Sequence, residues 1–110
     1  MTDHYHDPND TKRFKDMKQL APKEFEAWVT LDRIVGREDG HVPHKYRELI
    51  ALAVSLTTQC VYCIDAHTKA AKKAGATREE IAETAFLAAA LRAGGAAAHG
   101  TLALRLYDEA

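Results

Sequence analysis

No stretch of this sequence alternates apolar and polar residues with the period of two that marks a half-buried strand. A sheet is therefore not expected. There is no glycine-rich loop of the kind that cradles phosphate, and Ser55 has no neighbouring base pattern that would make it a nucleophile. Charge of one sign is also lacking. Lys and Arg number 15 against 16 Asp and Glu, and the halves are balanced too, with 9 positive and 10 negative in residues 1–50 and 6 of each in 51–110. Without a basic face, nucleic acids and anionic membranes are not expected as partners. The N-terminal Met-Thr-Asp-His-Tyr-His-Asp-Pro has no apolar h-region and does not read as a secretory signal, so a cytoplasmic location is expected. The longest apolar-looking stretch, residues 84–98, is interrupted by Arg92, Gly94 and Gly95 and is not expected to cross a membrane. With two cysteines only, a disulfide introduced for stability is not expected either.

What is present is helical. The 46% apolar and 28% charged fractions belong to a folded chain, and 110 residues suffice for one domain that buries roughly two-thirds of its unfolded surface. Residues 1–11 read as a flexible polar N-terminal arm, with Pro8, Asn9 and Asp10 as turn formers, and residues 12–110 as a single domain. Apolar spacing then predicts a helix through Phe14, Met17 and Leu20. A second follows from Pro22 through Phe25, Trp28, Val29 and Val35, ending near Gly36. A third, over 44–56, is apolar on nearly all sides and carries Glu48 in its middle. Thr57 and Thr58 read as caps at a tight turn, and a fourth helix starts near Cys60 and ends before Gly75. Thr77-Arg78-Glu79-Glu80 is a capping box that opens a fifth helix over 78–92. Gly94-Gly95 is expected to break it, leaving a sixth over 96–107. The fold class is all-α with about six helices, and so much apolar surface on a small domain predicts burial between subunits.

The chemistry-bearing residues are Cys60, Cys63, His67 and Glu48. On a helix, positions 60, 63 and 67 share one face. A thiol at a helix N-terminus meets the positive end of the dipole and free N–H groups, which favour thiolate. An imidazole one turn after Cys63 can take its proton. If the chain folds back at Thr57-Thr58, positions 48 and 67 are equidistant from the turn, so an antiparallel hairpin sets Glu48 level with His67. A buried carboxylate there can hold the imidazole tautomer and stabilise imidazolium. The dipole argument makes Cys60 the more acidic thiol, and proximity to imidazole makes it Cys63.

Each part has a plainer reading. Free cysteines are often inert and buried, Glu48 could face solvent or pair with Lys45 or Arg47, and His67 could be an ordinary hydrogen-bonded residue. A zinc site is the sharper rival, with Cys60, Cys63 and His67 as ligands and His99 or Glu48 as the fourth. It lacks a second Cys-x-x-Cys or His-x-x-x-His pair. His4, His6, His41 and His44 lie in the arm or a loop and point to nothing specific. The small-residue run 94–98 is a close-packing element.

Glu48, eleven residues, Cys60-x-x-Cys63, three residues and His67, with the string Thr58-Gln59-Cys60-Val61-Tyr62-Cys63-Ile64-Asp65-Ala66-His67-Thr68, resembles the alkylhydroperoxidase D (AhpD)-like branch of the carboxymuconolactone decarboxylase family. The resemblance covers residues 43–91. It implies an all-helical homotrimer or homohexamer that needs no cofactor or metal. It implies that Cys63 attacks a peroxide and becomes a sulfenic acid, that Cys60 resolves this as an intramolecular disulfide, and that His67 and Glu48 relay protons. An external dithiol, a lipoylated or thioredoxin-like protein, would return the disulfide to thiols. Where the best-studied peroxidase form has a histidine before the second cysteine, this chain has Tyr62, which can orient by hydrogen bonding and cannot act as a base at neutral pH. The decarboxylase branch lacks the cysteine pair, so lactone decarboxylation is not expected. The expected activity is a thiol-dependent peroxidase or disulfide reductase, and the rivals are a non-catalytic redox sensor and a structural zinc module.

Overall fold

The computed structural model describes residues 5–110, so the first four residues of the expected arm, His4 among them, lie outside the described residues. From Asp7 onward the arm sequence dictates a turn. The Asp7 carboxylate accepts the Asn9 N–H at 2.8 Å, and the Asp10 carboxylate reaches back to the Asp7 N–H at 3.1 Å. With Pro8 fixing φ just behind this capping box, Pro8–Arg13 winds into a 3-10 helix. It runs directly into α1, Phe14–Leu20. Ala21 breaks the helix, and Pro22 opens α2, Pro22–Val35, which stops at Gly36. Phe14 holds the two together: its ring lies 5.2 Å from Trp28 and 6.1 Å from Phe25, centre to centre.

The remaining helices are α3, His44–Thr58, α4, Val61–Lys73, and α5, Arg78–Glu109. Thr57 and Thr58 do not form the turn. Their hydroxyls donate to the Val54 carbonyl at 2.8 and 3.0 Å, a local bond that lets the helix run on through both. Gln59 makes the turn, at φ 58° and ψ 39° in the left-handed region, at a cost of about 1 kcal/mol for a residue with a Cβ. One residue therefore reverses the chain, and α4 returns along α3. Gly75, at φ 98°, closes α4. Thr77 and Glu80 then form the reciprocal capping box that starts α5, at 2.9 and 3.1 Å. The second carboxylate oxygen of Glu80 meets Lys45 at 2.9 Å and ties the first turns of α3 and α5 together.

α5 corrects one expectation. Gly94 and Gly95 do not break it, so the described residues form five α-helices rather than about six. A glycine costs roughly 1 kcal/mol relative to alanine in a helix interior, which is too little to interrupt a helix already nucleated and propagated through alanine on both sides. Nor do the glycines serve close packing within this chain, because nothing lies within 4 Å of where a Cβ would stand on either. Unbroken, the helix is long and apolar enough by length and composition to cross a membrane. Its first half packs on α3, where Arg92 donates to the Thr57 carbonyl at 2.7 Å.

α3 is the centre of the fold, flanked by α4 and α5. Among the described residues, Leu52, Ala71 and Ala88 are the buried apolar ones, and two polar ones, Glu48 and Ser55, are buried with them. Ser55 satisfies its hydroxyl by donating to the Ala51 carbonyl at 2.7 Å. This core is small, and the radius of gyration, 18.1 Å, exceeds the roughly 13 Å of a compact 110-residue domain.

Candidate functional site

The site is built on the α3–α4 hairpin. Gln59 ends α3, and the next residue, Cys60, has the extended backbone of an N-cap, at φ −88° and ψ 95°. Its sulfur accepts the Cys63 N–H at 3.2 Å, so the capping acceptor of α4 is a cysteine sulfur where a Ser or Asp oxygen would ordinarily stand. The Cys60 N–H in turn donates to the Ser55 carbonyl at 3.0 Å, which fixes the loop against α3. Cys60 and Cys63 are joined as a disulfide, with Cα atoms 5.2 Å apart. The pair spans three positions, too short a loop to staple elements together.

One turn on, His67 faces Glu48 on α3, and Nδ1 lies 2.7 Å from the carboxylate. The hairpin register thus sets the two side by side. A carboxylate only accepts, so the imidazole proton sits on Nδ1 and Nε2 is left as the basic nitrogen. Glu48 is nearly out of water, its side chain 11% exposed, whereas His67 is one-third exposed. The buried partner anchors, and the partly open one can meet solvent or substrate. Cys63 and His67 on α4 both line an open cleft of about 460 Å³ that α3 and the α2–α3 connection complete, and whose other lining is mostly aliphatic, with Val35, Val42, Ile50 and Val54. Cys60 is not among the cleft residues.

Of the residues singled out in the sequence, Cys60, Cys63, His67 and Glu48 converge. His99 does not. It lies on α5 with Nδ1 2.9 Å from the Gly95 carbonyl, and among the described residues no group of three or more His, Cys, Asp or Glu side chains is arranged to hold a metal ion. Tyr62 orients by hydrogen bonding, and its partner is a residue of the N-terminal segment. Its hydroxyl donates to Asp10 at 2.7 Å, which latches the N-terminal 3-10 helix to the first turn of α4. That bond holds the Asp10 carboxyl below the usual range, helped by the Asp7 N–H, and raises the Tyr62 phenol above its usual value. Sequence reading missed this partner because no local pattern connects residues 52 positions apart. It also missed Arg47, which stands in the cleft wall and donates to the carbonyls of Val42, at 2.8 Å, and Val35, at 2.7 Å.

Similar proteins occur in several bacteria. An uncharacterised protein from the cox locus of Paracoccus denitrificans is 43% identical over 84 residues, which cover 76% of this chain and 75% of the relative. An uncharacterised protein of Cupriavidus necator is 29% identical across 88% of this chain and 85% of its own length. One from Haemophilus influenzae is 40% identical over a shorter stretch, 54% of this chain and 52% of the relative. The sequence pattern of one family matches residues 22–106, a span that takes in four helices, from the start of α2 through most of α5. With an all-helical fold, a Cys-x-x-Cys pair at a helix start and a Glu–His pair beside it, the chain belongs to the carboxymuconolactone decarboxylase family, in its AhpD-like form.

Proposed function

We propose that this protein is a thiol-dependent peroxidase in which Cys63 is the nucleophile, Cys60 the resolving thiol, and His67 with Glu48 the proton relay. The family includes AhpD-type peroxidases as well as decarboxylases. The observation that carries the reading is the one cleft in which Cys63 and His67 meet, with the imidazole held from behind by Glu48. In the reduced protein, Nε2 of His67 takes the Cys63 proton. The thiolate attacks the distal oxygen of a hydroperoxide, the O–O bond breaks, and the alkoxide leaves as alcohol after accepting that proton, giving Cys63 sulfenic acid. The Cys60 thiol then attacks the sulfenic sulfur, water leaves, and the disulfide forms. An external dithiol, a lipoylated or thioredoxin-like protein, returns both thiols, so one hydroperoxide and one dithiol give alcohol, water and a disulfide.

The active form is a homo-oligomer, trimer or hexamer, in the cytoplasm. The accessible surface of the single chain is 9158 Å², against about 6,000 Å² for a compact monomer of this mass. The excess is several times the roughly 800 Å² that one partner contributes to a standard interface. Exposed apolar residues line α2 and α5, among them Leu31, Ile34, Phe86, Leu87, Leu91 and Leu104. Copies of the chain covering these helices account for that surface without a membrane. Sedimentation in detergent-free buffer should show the assembly, and material that stays soluble only with detergent would refute it.

The enzymatic test is dithiol-dependent consumption of cumene hydroperoxide. Cys63→Ser should abolish both turnover and sulfenic acid, and Cys60→Ser should abolish turnover while leaving one sulfenic acid at Cys63. Multiple equivalents consumed by the wild type distinguish an enzyme from a sensor that oxidises once. Wild-type turnover in either variant overturns the assignment.

A further inference from the structure

The cleft lined by Cys63 and His67 is mostly aliphatic, with the hydroxyls of Ser55 and Thr58 and one fixed positive charge, Arg47, as its other polar groups. Arg47 is half-buried in its wall, and its guanidinium is held on two sides by the carbonyls of Val42 and Val35. The fit is tight: a Cβ on Gly40 would stand 1.7 Å from a terminal nitrogen of Arg47, so any larger residue there would push the guanidinium aside. Among the described residues no carboxylate pairs with it. Glu48, its neighbour in sequence, is committed to His67. Backbone carbonyls satisfy hydrogen bonds but leave the charge itself uncompensated in a partly desolvated place.

A guanidinium that is preorganised, unneutralised and set beside aliphatic walls is complementary to an amphipathic anion. We infer that the cleft binds an aliphatic carboxylate, the carboxylate on Arg47 and the chain along Val35, Val42, Ile50 and Val54, so that the substrates at this site are apolar hydroperoxides that carry a carboxylate. Arg47 is then a specificity residue. It does not touch the reacting oxygen atoms. The substrate class rests on the peroxidase reading, whereas the binding site does not.

The test uses octanoate and 1-octanol, which share a chain and differ in charge, titrated calorimetrically into the full-length protein as purified. Octanoate should bind roughly tenfold more tightly, the contribution of one charge-assisted pair. The difference should vanish in Arg47→Gln. Because Arg47 also holds the α2–α3 loop, Gly40→Ala serves as a second variant that keeps the charge and displaces it, and octanoate affinity should fall there too. Equal affinities in the wild type, no binding of either ligand, or a preference that survives in folded Arg47→Gln would each overturn the inference. Cumene hydroperoxide turnover, measured on the same wild-type preparation, reports separately on the peroxidase reading.

Discussion

Replacing Glu48 by glutamine isolates the relay. The amide is nearly isosteric and its oxygen can still accept the His67 Nδ1–H, so the imidazole keeps an orienting partner, and only the negative charge is lost. The contact is 2.7 Å long, with the Glu48 side chain 11% and the His67 side chain 33% exposed. A charge-assisted hydrogen bond contributes about 1.5–3 kcal/mol when buried. Solvent around the one-third-exposed imidazole reduces this to about 1 kcal/mol of folding stability, which is about 4–8 °C in Tm for a domain of this size. The catalytic effect is larger, because imidazolium forms only as the thiol is deprotonated. General-base assistance supplies typically 10²–10⁴-fold, and loss of the charge behind it should cut kcat/KM for cumene hydroperoxide about a hundredfold. The rate of alkylation of Cys63 in the reduced protein should fall in parallel, which ties the defect to the thiolate rather than to reductant docking. A folded Glu48→Gln protein with kcat/KM within threefold of wild type would refute the relay, whatever its Tm.

Other consequences follow from single contacts. The Tyr62–Asp10 latch has a pH window: the depressed Asp10 pKa contributes stability above the usual carboxylate value and loses it as pH falls through the folded value, and the raised Tyr62 pKa contributes below the usual tyrosine value and loses it as pH climbs through the folded one. Phenolate absorbance should therefore show one of the four tyrosines titrating late, and Asp10→Asn should bring it back among the others; four coincident titrations would contradict the latch. Leu52, 2% exposed at the centre of α3, should cost about 2–5 kcal/mol on truncation to alanine in a denaturant titration, and a loss below 1 kcal/mol would mean that the small core is not what holds α3 to its neighbours. Gln59→Gly should leave Tm unchanged or slightly raised, whereas Gln59→Val should lower it by about 1–2 kcal/mol equivalent, and the reverse order would place the turn elsewhere.

The hairpin was legible because its signals are local and consistent. Pro22, Gly36, Gly75 and the Thr77–Glu80 box each sit at the helix boundary that their chemistry favours, and the spacing of Glu48, Cys60, Cys63 and His67 carries enough register to place the Glu–His pair. The threonines before the cysteine pair misled because a Thr hydroxyl can cap a helix or bond back to its preceding turn, and only packing decides between the two. The paired glycines misled because glycine lowers helix propensity without forbidding helix, so a long alanine-rich neighbourhood overrides it. What stayed hidden are contacts across long sequence separation: Tyr62 with Asp10, and Arg47 with the carbonyl of Val35. Neither pair has a spacing that local periodicity can register.

That Cys60 itself caps α4 bears on how the site cycles. The capping acceptor is its sulfur, whose bond to the Cys63 N–H needs only a lone pair and so suits disulfide and thiolate alike. Opening the disulfide therefore does not uncap the helix, and as a thiolate the same sulfur meets the N–H and the dipole more favourably than before. The electron pair arrives where the backbone is already polarised to receive it. A domain with so small a core is thereby spared one source of strain, because the first turn of α4 need not unwind for the pair to alternate between disulfide and thiols.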